Sequence, residues 1–392
     1  MERLSYGAAL VFVATLPWEG LVSLGSFGSL ARVVGLGAGA LWLVKIAGDR
    51  ELRAPHGLHI LMAVMLAWIG MSMNWSADPA VTRATLVTMV MLFVLTYMVW
   101  DLVNSRARLM RTVQVFVLGA VVPVFLVIEA RVTTADGGAR LSAASFHPND
   151  LAMVLSLAIP FAGYLAFRGD SKTVVRVGNF MMVPLSMFAT LMTGSRSGLV
   201  AVSLGAGYVV ILALRSLPPV KGAALIAILL APLALLPAVA DRLLQRLLGT
   251  GEALTTGLNG RTEIWTNALA IFNQRPLTGT GAGAFESTVT AAQPPHNIVI
   301  SYGAELGVVG IILLATLLLM LAFHAWHTPL DMRGMWIVVL LAWGANAVFH
   351  NIEYRKQTWL IFALVVIAAE IARQVQADEP LVLTPATAGI GY

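Results

Sequence analysis

Apolar runs of about 20 residues, each closed by a short polar break, recur along almost the whole chain. A helix rises about 1.5 Å per residue, so a run of that length crosses the roughly 30 Å hydrocarbon core of a bilayer. Barrel strands would show short alternating segments instead. The pattern predicts an all-α polytopic membrane protein with about twelve spanning helices. They fall near 6–24, 29–47, 58–73, 81–100, 111–131, 149–167, 176–193, 197–215, 219–239, 296–323, 333–350 and 357–374. The chain then divides into nine spans over 1–239, a large loop at 240–295, three spans over 296–374, and a disordered tail at 375–392.

The large loop is too short for a domain with its own core and is expected to fold back on the membrane. Two segments in it have helical periodicity. Asp241 to Leu248 sets leucines on one face and arginines on the other. Arg261 to Arg275 places Ile264, Trp265, Ala268, Leu269 and Phe272 on one stripe, with Asn259-Gly260 as cap and Pro276 as stop. Such helices suit the headgroup level. Gly279-Thr280-Gly281-Ala282-Gly283 lacks the preceding strand of a nucleotide loop and reads as a tight connector.

Composition then removes whole classes. The 392 residues are 58% hydrophobic and 11% charged, against about 25% charged in soluble domains. With no cysteine, disulfides, thiolate chemistry and Cys-ligated metals are excluded. The net charge of +5 is not a nucleic-acid signal, because most of it sits in short loops. Lys45/Arg50/Arg53, Arg106/Arg108/Arg111, Arg168/Lys172/Arg176 and Arg215/Lys221 fall in alternate loops, which the positive-inside bias makes cytoplasmic. The remaining loops face outward, and both termini, with the tail, lie inside.

The outward loops hold the candidate chemistry. Pro294-Pro295-His296-Asn297 opens the tenth span. A histidine at a helix start is disfavoured as imidazolium by the dipole, so His296 is expected to be neutral and able to accept a proton. The plain alternative is an interfacial histidine with a satisfied hydrogen bond. Arg196 occupies the short turn Thr193-Gly194-Ser195-Arg196-Ser197-Gly198, where its fork of donors suits phosphate oxygens or a lipid headgroup. Arg261 starts the amphipathic helix, an unfavourable place for a cation unless an anion binds there. Arg275 ends that helix and is a weaker candidate, as are Arg242 and Arg246. Glu305 lies about 180° round the helix from His296, so a direct pair is not expected. A partner elsewhere, such as an arginine, suits it better. Gly303, Gly307 and Gly310 read as a packing face for another span. His147-Pro148-Asn149-Asp150 supplies only two metal ligands and reads as a polar cap. The polar turn His350 to Lys356, with Arg355, lines a substrate path or forms an interface belt.

These motifs together resemble the O-antigen ligase/polymerase superfamily. His296-Asn297, nine residues, then Gly307-Val308-Val309-Gly310 fits the ligases' H-[NSQ]-x9-G-x-x-G pattern, and Arg261 to Phe285 is similar to the loop before it. Gly194 to Gly198 resembles the family's other arginine turn, with Val200 where the family has leucine. The resemblance implies an inverting, metal-independent glycosyltransferase without cofactor, on the periplasmic side of the bacterial inner membrane. Its donor would be a glycan on undecaprenyl diphosphate. Its acceptor would be a lipid A-core sugar in the ligase branch, or a lipid-linked repeat unit in the polymerase branch. Carried over by position, His296 is the essential histidine and general base. Arg196 and Arg261 hold the diphosphate with Arg275 as an extension, and Asn297, Glu305 and Arg355 support. A transporter would instead gather its polar groups near the midplane, whereas here they gather at the outward ends.

Overall fold

The computed structural model describes residues 1–25, 28–133, 147–234, 261–289 and 293–378. The described residues build an all-helical bundle: α1 (Glu2–Thr15), α2 (Leu30–Asp49), α3 (Gly57–Ser72), α4 (Pro79–Leu102), α5 (Arg106–Gly119), α6 (Val121–Thr133), α7 (Pro148–Phe167), α8 (Thr173–Thr193), α9 (Arg196–Ser216), α10 (Pro219–Ala234), α11 (Arg261–Gln274), α12 (Ile298–Trp326), α13 (Leu330–Ala347) and α14 (Lys356–Asp378). Among the described residues, eight helices are long and apolar enough to cross a membrane, with α5 and α6 counted as one, and α3 and α10 are shorter apolar helices. This is a polytopic α-helical membrane protein. The expected helix over Asp241 to Leu248, with Arg242 and Arg246, lies outside the described residues, as does the tail from residue 379.

Two expected spans are divided. The first helix stops at Thr15 and passes into a single tight turn at Leu16–Trp18, where Pro17 has no N–H to continue the ladder. The expected span 111–131 starts earlier, at Arg106 behind its cap Ser105, and is broken between Gly119 and Val121. Pro123 explains the break, since its ring collides with the carbonyl four residues back, at Gly119. The interior is filled by Phe116, Phe161, Trp336, Trp359 and Phe362. Helix α7 is buried along nearly its whole length.

The feature that shapes one end of the bundle is a break inside α12. Gly307 has φ 69° and ψ −161°, a region essentially reserved for glycine, so the helix runs as 298–306 and then restarts. The carbonyls freed there are taken by the loop that precedes the helix. Thr280 N–H donates to Ala304 O at 3.0 Å and Gly281 N–H to Glu305 O at 2.9 Å. Trp68 Nε1 donates to Leu306 O at 3.1 Å, and Val308 N–H to Pro276 O at 2.8 Å. Gly279 (φ 64°) lies so close to this break that a Cβ would overlap the Glu305 carbonyl. The glycine loop is thus a plug for a broken helix. Gly307 corrects the expected small-residue packing face: it is the break point. Glu305 finds its partner in that loop rather than in an arginine, its Oε2 accepting from Gly283 N–H at 2.7 Å.

Candidate active site

Helix α11 is clamped onto the first half of α12. Ile264 and Ala268 pack with Phe285 and Ala304, and Trp265 Nε1 donates to Pro295 O at 2.8 Å. This clamp brings the start of α11, with Arg261, beside the Pro-His segment.

His296 itself does not begin the helix, contrary to the sequence expectation. Asn297 is the cap, its Oδ1 accepting from Val299 N–H at 3.0 Å and Ile300 N–H at 3.1 Å. His296 precedes the cap with φ 51°, one of two non-glycine residues with positive φ among those described. The left-handed backbone turns the ring off the helix axis into a cluster of side chains. Its pKa falls to about 4, first through burial, then through the Arg261 guanidinium and the rings of His350 and His147. Burial first, and the Arg261 guanidinium next, favour the neutral ring, causes that the sequence did not show. Its Nδ1 is buried and makes no hydrogen bond in the structure.

The neighbours come from three parts of the chain. His350 stacks between two rings, His296 at 6.2 Å and 15° and His147 at 5.7 Å and 9° between centroids. Its Nε2 meets Asp150 Oδ1 at 2.7 Å, and Arg355 Nη2 meets Asp150 Oδ2 at 2.8 Å. His350 Nδ1, like that of His296, is buried without a hydrogen-bond partner. Behind it, Asn351 Nδ2 donates to Ser301 Oγ at 2.9 Å and to Glu353 Oε1 at 3.0 Å, and burial raises the Glu353 carboxyl. Arg261 Cζ lies 6.0 Å from the Phe349 ring centroid.

The structure therefore joins His296, Arg261, Arg355 and Asn297 with residues the sequence reading did not combine: His147, Asp150 and His350. Arg196 is the exposed first residue of α9, capped by Ser195. The following Gly198 packs against Ala152 of α7, two residues past Asp150, so Arg196 shares this end of the bundle. Arg275 does not join them. It lies at the far end of α11, about 20 Å from Arg261 at 1.5 Å per residue, and its Nη1 faces Trp75 O at 3.4 Å. Glu305 is also separate, committed to the glycine loop. His147, Asp150 and His350 each place one ligand atom within 4.8 Å of the others. Both Asp150 oxygens are already engaged, one by the Arg355 guanidinium, so these residues fit an ion-pair network better than a cation site.

One end of this multi-span bundle thus holds a half-buried histidine with arginines around it. Residues 180–315, about a third of the chain, match the family model described as O-antigen ligase. That match supports the resemblance to the O-antigen ligase/polymerase superfamily and a ligase- or polymerase-type glycosyltransferase working on lipid-linked glycans. No curated protein matches the chain. The matched segment contains Arg196, Arg261 and His296, whereas His147, Asp150, His350 and Arg355 lie outside it.

Proposed function

We propose that the protein moves a glycan from undecaprenyl diphosphate to a sugar of the lipid A core, on the periplasmic face of the inner membrane. The single observation that carries this reading is the placement of the Arg261 guanidinium close enough to the half-buried His296, just before α12, to lower its pKa. Arg261 comes from the start of α11 and Arg196 from the start of α9. Their guanidinium forks hold the diphosphate and stabilise its charge as the glycosyl bond breaks. His296 takes the proton of the acceptor hydroxyl, and attack from the face opposite the leaving group inverts the anomeric carbon. Asn297 fixes the helix start, Glu305 fixes the glycine loop, and Arg355 holds Asp150.

The charges also link binding to chemistry. Arg261 depresses the basicity of His296, and a diphosphate on Arg261 offsets that cation, so the base strengthens as the donor arrives. In the free enzyme the base stays unprotonated down to about pH 4. For the wild type, kcat/KM for the donor, which reports the free enzyme, should therefore stay level from about pH 7 to pH 5 and fall nearer pH 4. Arg261→Gln removes one cause of the lowered pKa and leaves burial, the largest, in place, so its acid limb should move up while staying below the ordinary histidine value of about 6.5. The pH profiles of the two proteins check this. An unchanged limb would separate Arg261 from His296.

The ligase reading is preferred to the polymerase on the H-[NSQ]-x9-G-x-x-G spacing. Supplying purified protein with both acceptors, lipid A-core and lipid-linked repeat, decides between them.

A further inference from the structure

Beside the histidine stack, on the side away from His296, is a polar cavity of ≈ 330 Å³. It lies between the turn after α1 and the starts of α7 and α14, and its wall includes His147, Asp150, Arg355, Glu19, Lys356 and Gln357. We propose that this cavity is a saccharide-binding subsite for the acceptor, taking a neutral sugar next to the one whose hydroxyl reacts at His296. The proposal rests on the glycosyltransferase reading and adds where the acceptor is recognised.

Three observations carry it. The first is charge. The two carboxylates and two cations of the wall are paired with one another, Arg355–Asp150 at 2.8 Å and Lys356–Glu19 at 2.7 Å. A diphosphate would have to displace carboxylates to bind there, whereas sugar hydroxyls donate to and accept from such pairs without disturbing the balance. The second is an unmet polar atom. Gln357 is 2% exposed, its Nε2 is committed to Leu16 O at 2.5 Å, and its Oε1 has no hydrogen-bond partner. A buried acceptor left unpaired is costly, and with Gln357 in the cavity wall a small turn of its amide would let a ligand hydroxyl satisfy it. The third is connection. His147, in the cavity wall, stacks on His350, which stacks on His296. A sugar in the cavity is thus set back from the reacting hydroxyl by the depth of the histidine stack, and the acceptor must be at least a disaccharide. Lys356 also borders an apolar groove of ≈ 480 Å³ between α2 and α4. A membrane-anchored acceptor can therefore lay its chain along the bundle and its sugars in the cavity.

The test uses the full-length protein in a detergent without sugar headgroups. Gln357→Met removes the unmet acceptor, and Gly20→Trp fills the cavity from its exposed rim. With a lipid-borne oligosaccharide as acceptor, Gln357→Met should raise acceptor KM about tenfold, the loss of roughly one hydrogen bond, and Gly20→Trp at least as much by blocking the cavity, with donor KM and kcat within about twofold in both. Saturation-transfer NMR with lactose as probe should show binding to the wild type that Gly20→Trp abolishes and inorganic diphosphate does not displace. Unchanged acceptor KM in both variants, or lactose displaced by diphosphate, overturns the subsite while leaving the transfer reaction standing. Absence of any transfer by the wild type overturns the reaction, and the lactose arm then removes or retains the cavity's sugar binding by itself.

Discussion

Replacing His296 with alanine is expected to abolish glycan transfer, while the protein still accumulates and inserts in the membrane. Removing a general base costs about 10²- to 10⁴-fold in rate, and among the described residues no second base stands at the same position. His350 is the nearest ring, but its Nε2 is held by Asp150, and it faces His296 in a stack rather than end to end. The fold should survive, because the α12 cap is Asn297 and the segment is anchored by Trp265 through the Pro295 carbonyl. The backbone is the one structural concern, since φ at His296 is 51° and alanine resists that region. Asparagine accepts it more readily, so His296→Asn gives the same chemical loss without the conformational penalty. Transfer measured against protein level and protease accessibility in membranes separates the two effects. Near-normal transfer by His296→Asn would remove the histidine from the reaction.

The second large effect belongs to Gly307. A valine there must adopt φ 69° and ψ −161°, at a strain of about 1–3 kcal/mol, and its Cβ would overlap the Leu277 carbonyl carbon and oxygen. If the helix straightened to escape, the carbonyls of Ala304, Glu305 and Leu306 would lose their loop and Trp68 partners. The loop carrying α11 would then lose its seat, and Arg261 with it. Gly307→Val should therefore lower the melting temperature clearly and abolish transfer, even though the residue is far from the substrate. Gly303→Ala is the control. Its Cβ would meet Ile311 at 3.4 Å and Phe272 at 3.6 Å, ordinary van der Waals contact, and stability should change little. Equal melting temperatures for Gly307→Val and the wild type would contradict this role for the break.

Much of the layout was legible because each helix carries its own signal. Hydrophobic length marked α2, α4, α7, α8, α9, α12 and α14. Breaks were harder. The effect of Pro123 depends on the carbonyl four residues back, and a span-length reading averages over it. Gly307 belongs to a glycine spacing shared by helix-packing faces and helix breaks, and only the docked loop tells them apart. The site was half legible for a similar reason. His296, Arg196 and Arg261 each stand out beside a helix start. His350 and Asp150 are 200 residues apart, and their pairing is a product of α7 meeting the turn before α14. One signal for it was present: His147-Pro148-Asn149 repeats the proline-adjacent His-Asn entry seen at Pro295-His296-Asn297. Arg275 illustrates the opposite case, a residue of the right type at the wrong end of its helix.

The central claim is that one end of this bundle transfers a glycan from a lipid diphosphate with His296 as base. Purified protein given glycan on undecaprenyl diphosphate, with lipid A-core and lipid-linked repeat offered in parallel, tests it most directly. The wild type should join glycan to lipid A-core, and His296→Asn should join none. Transfer to neither acceptor, or equal transfer by both proteins, would contradict it.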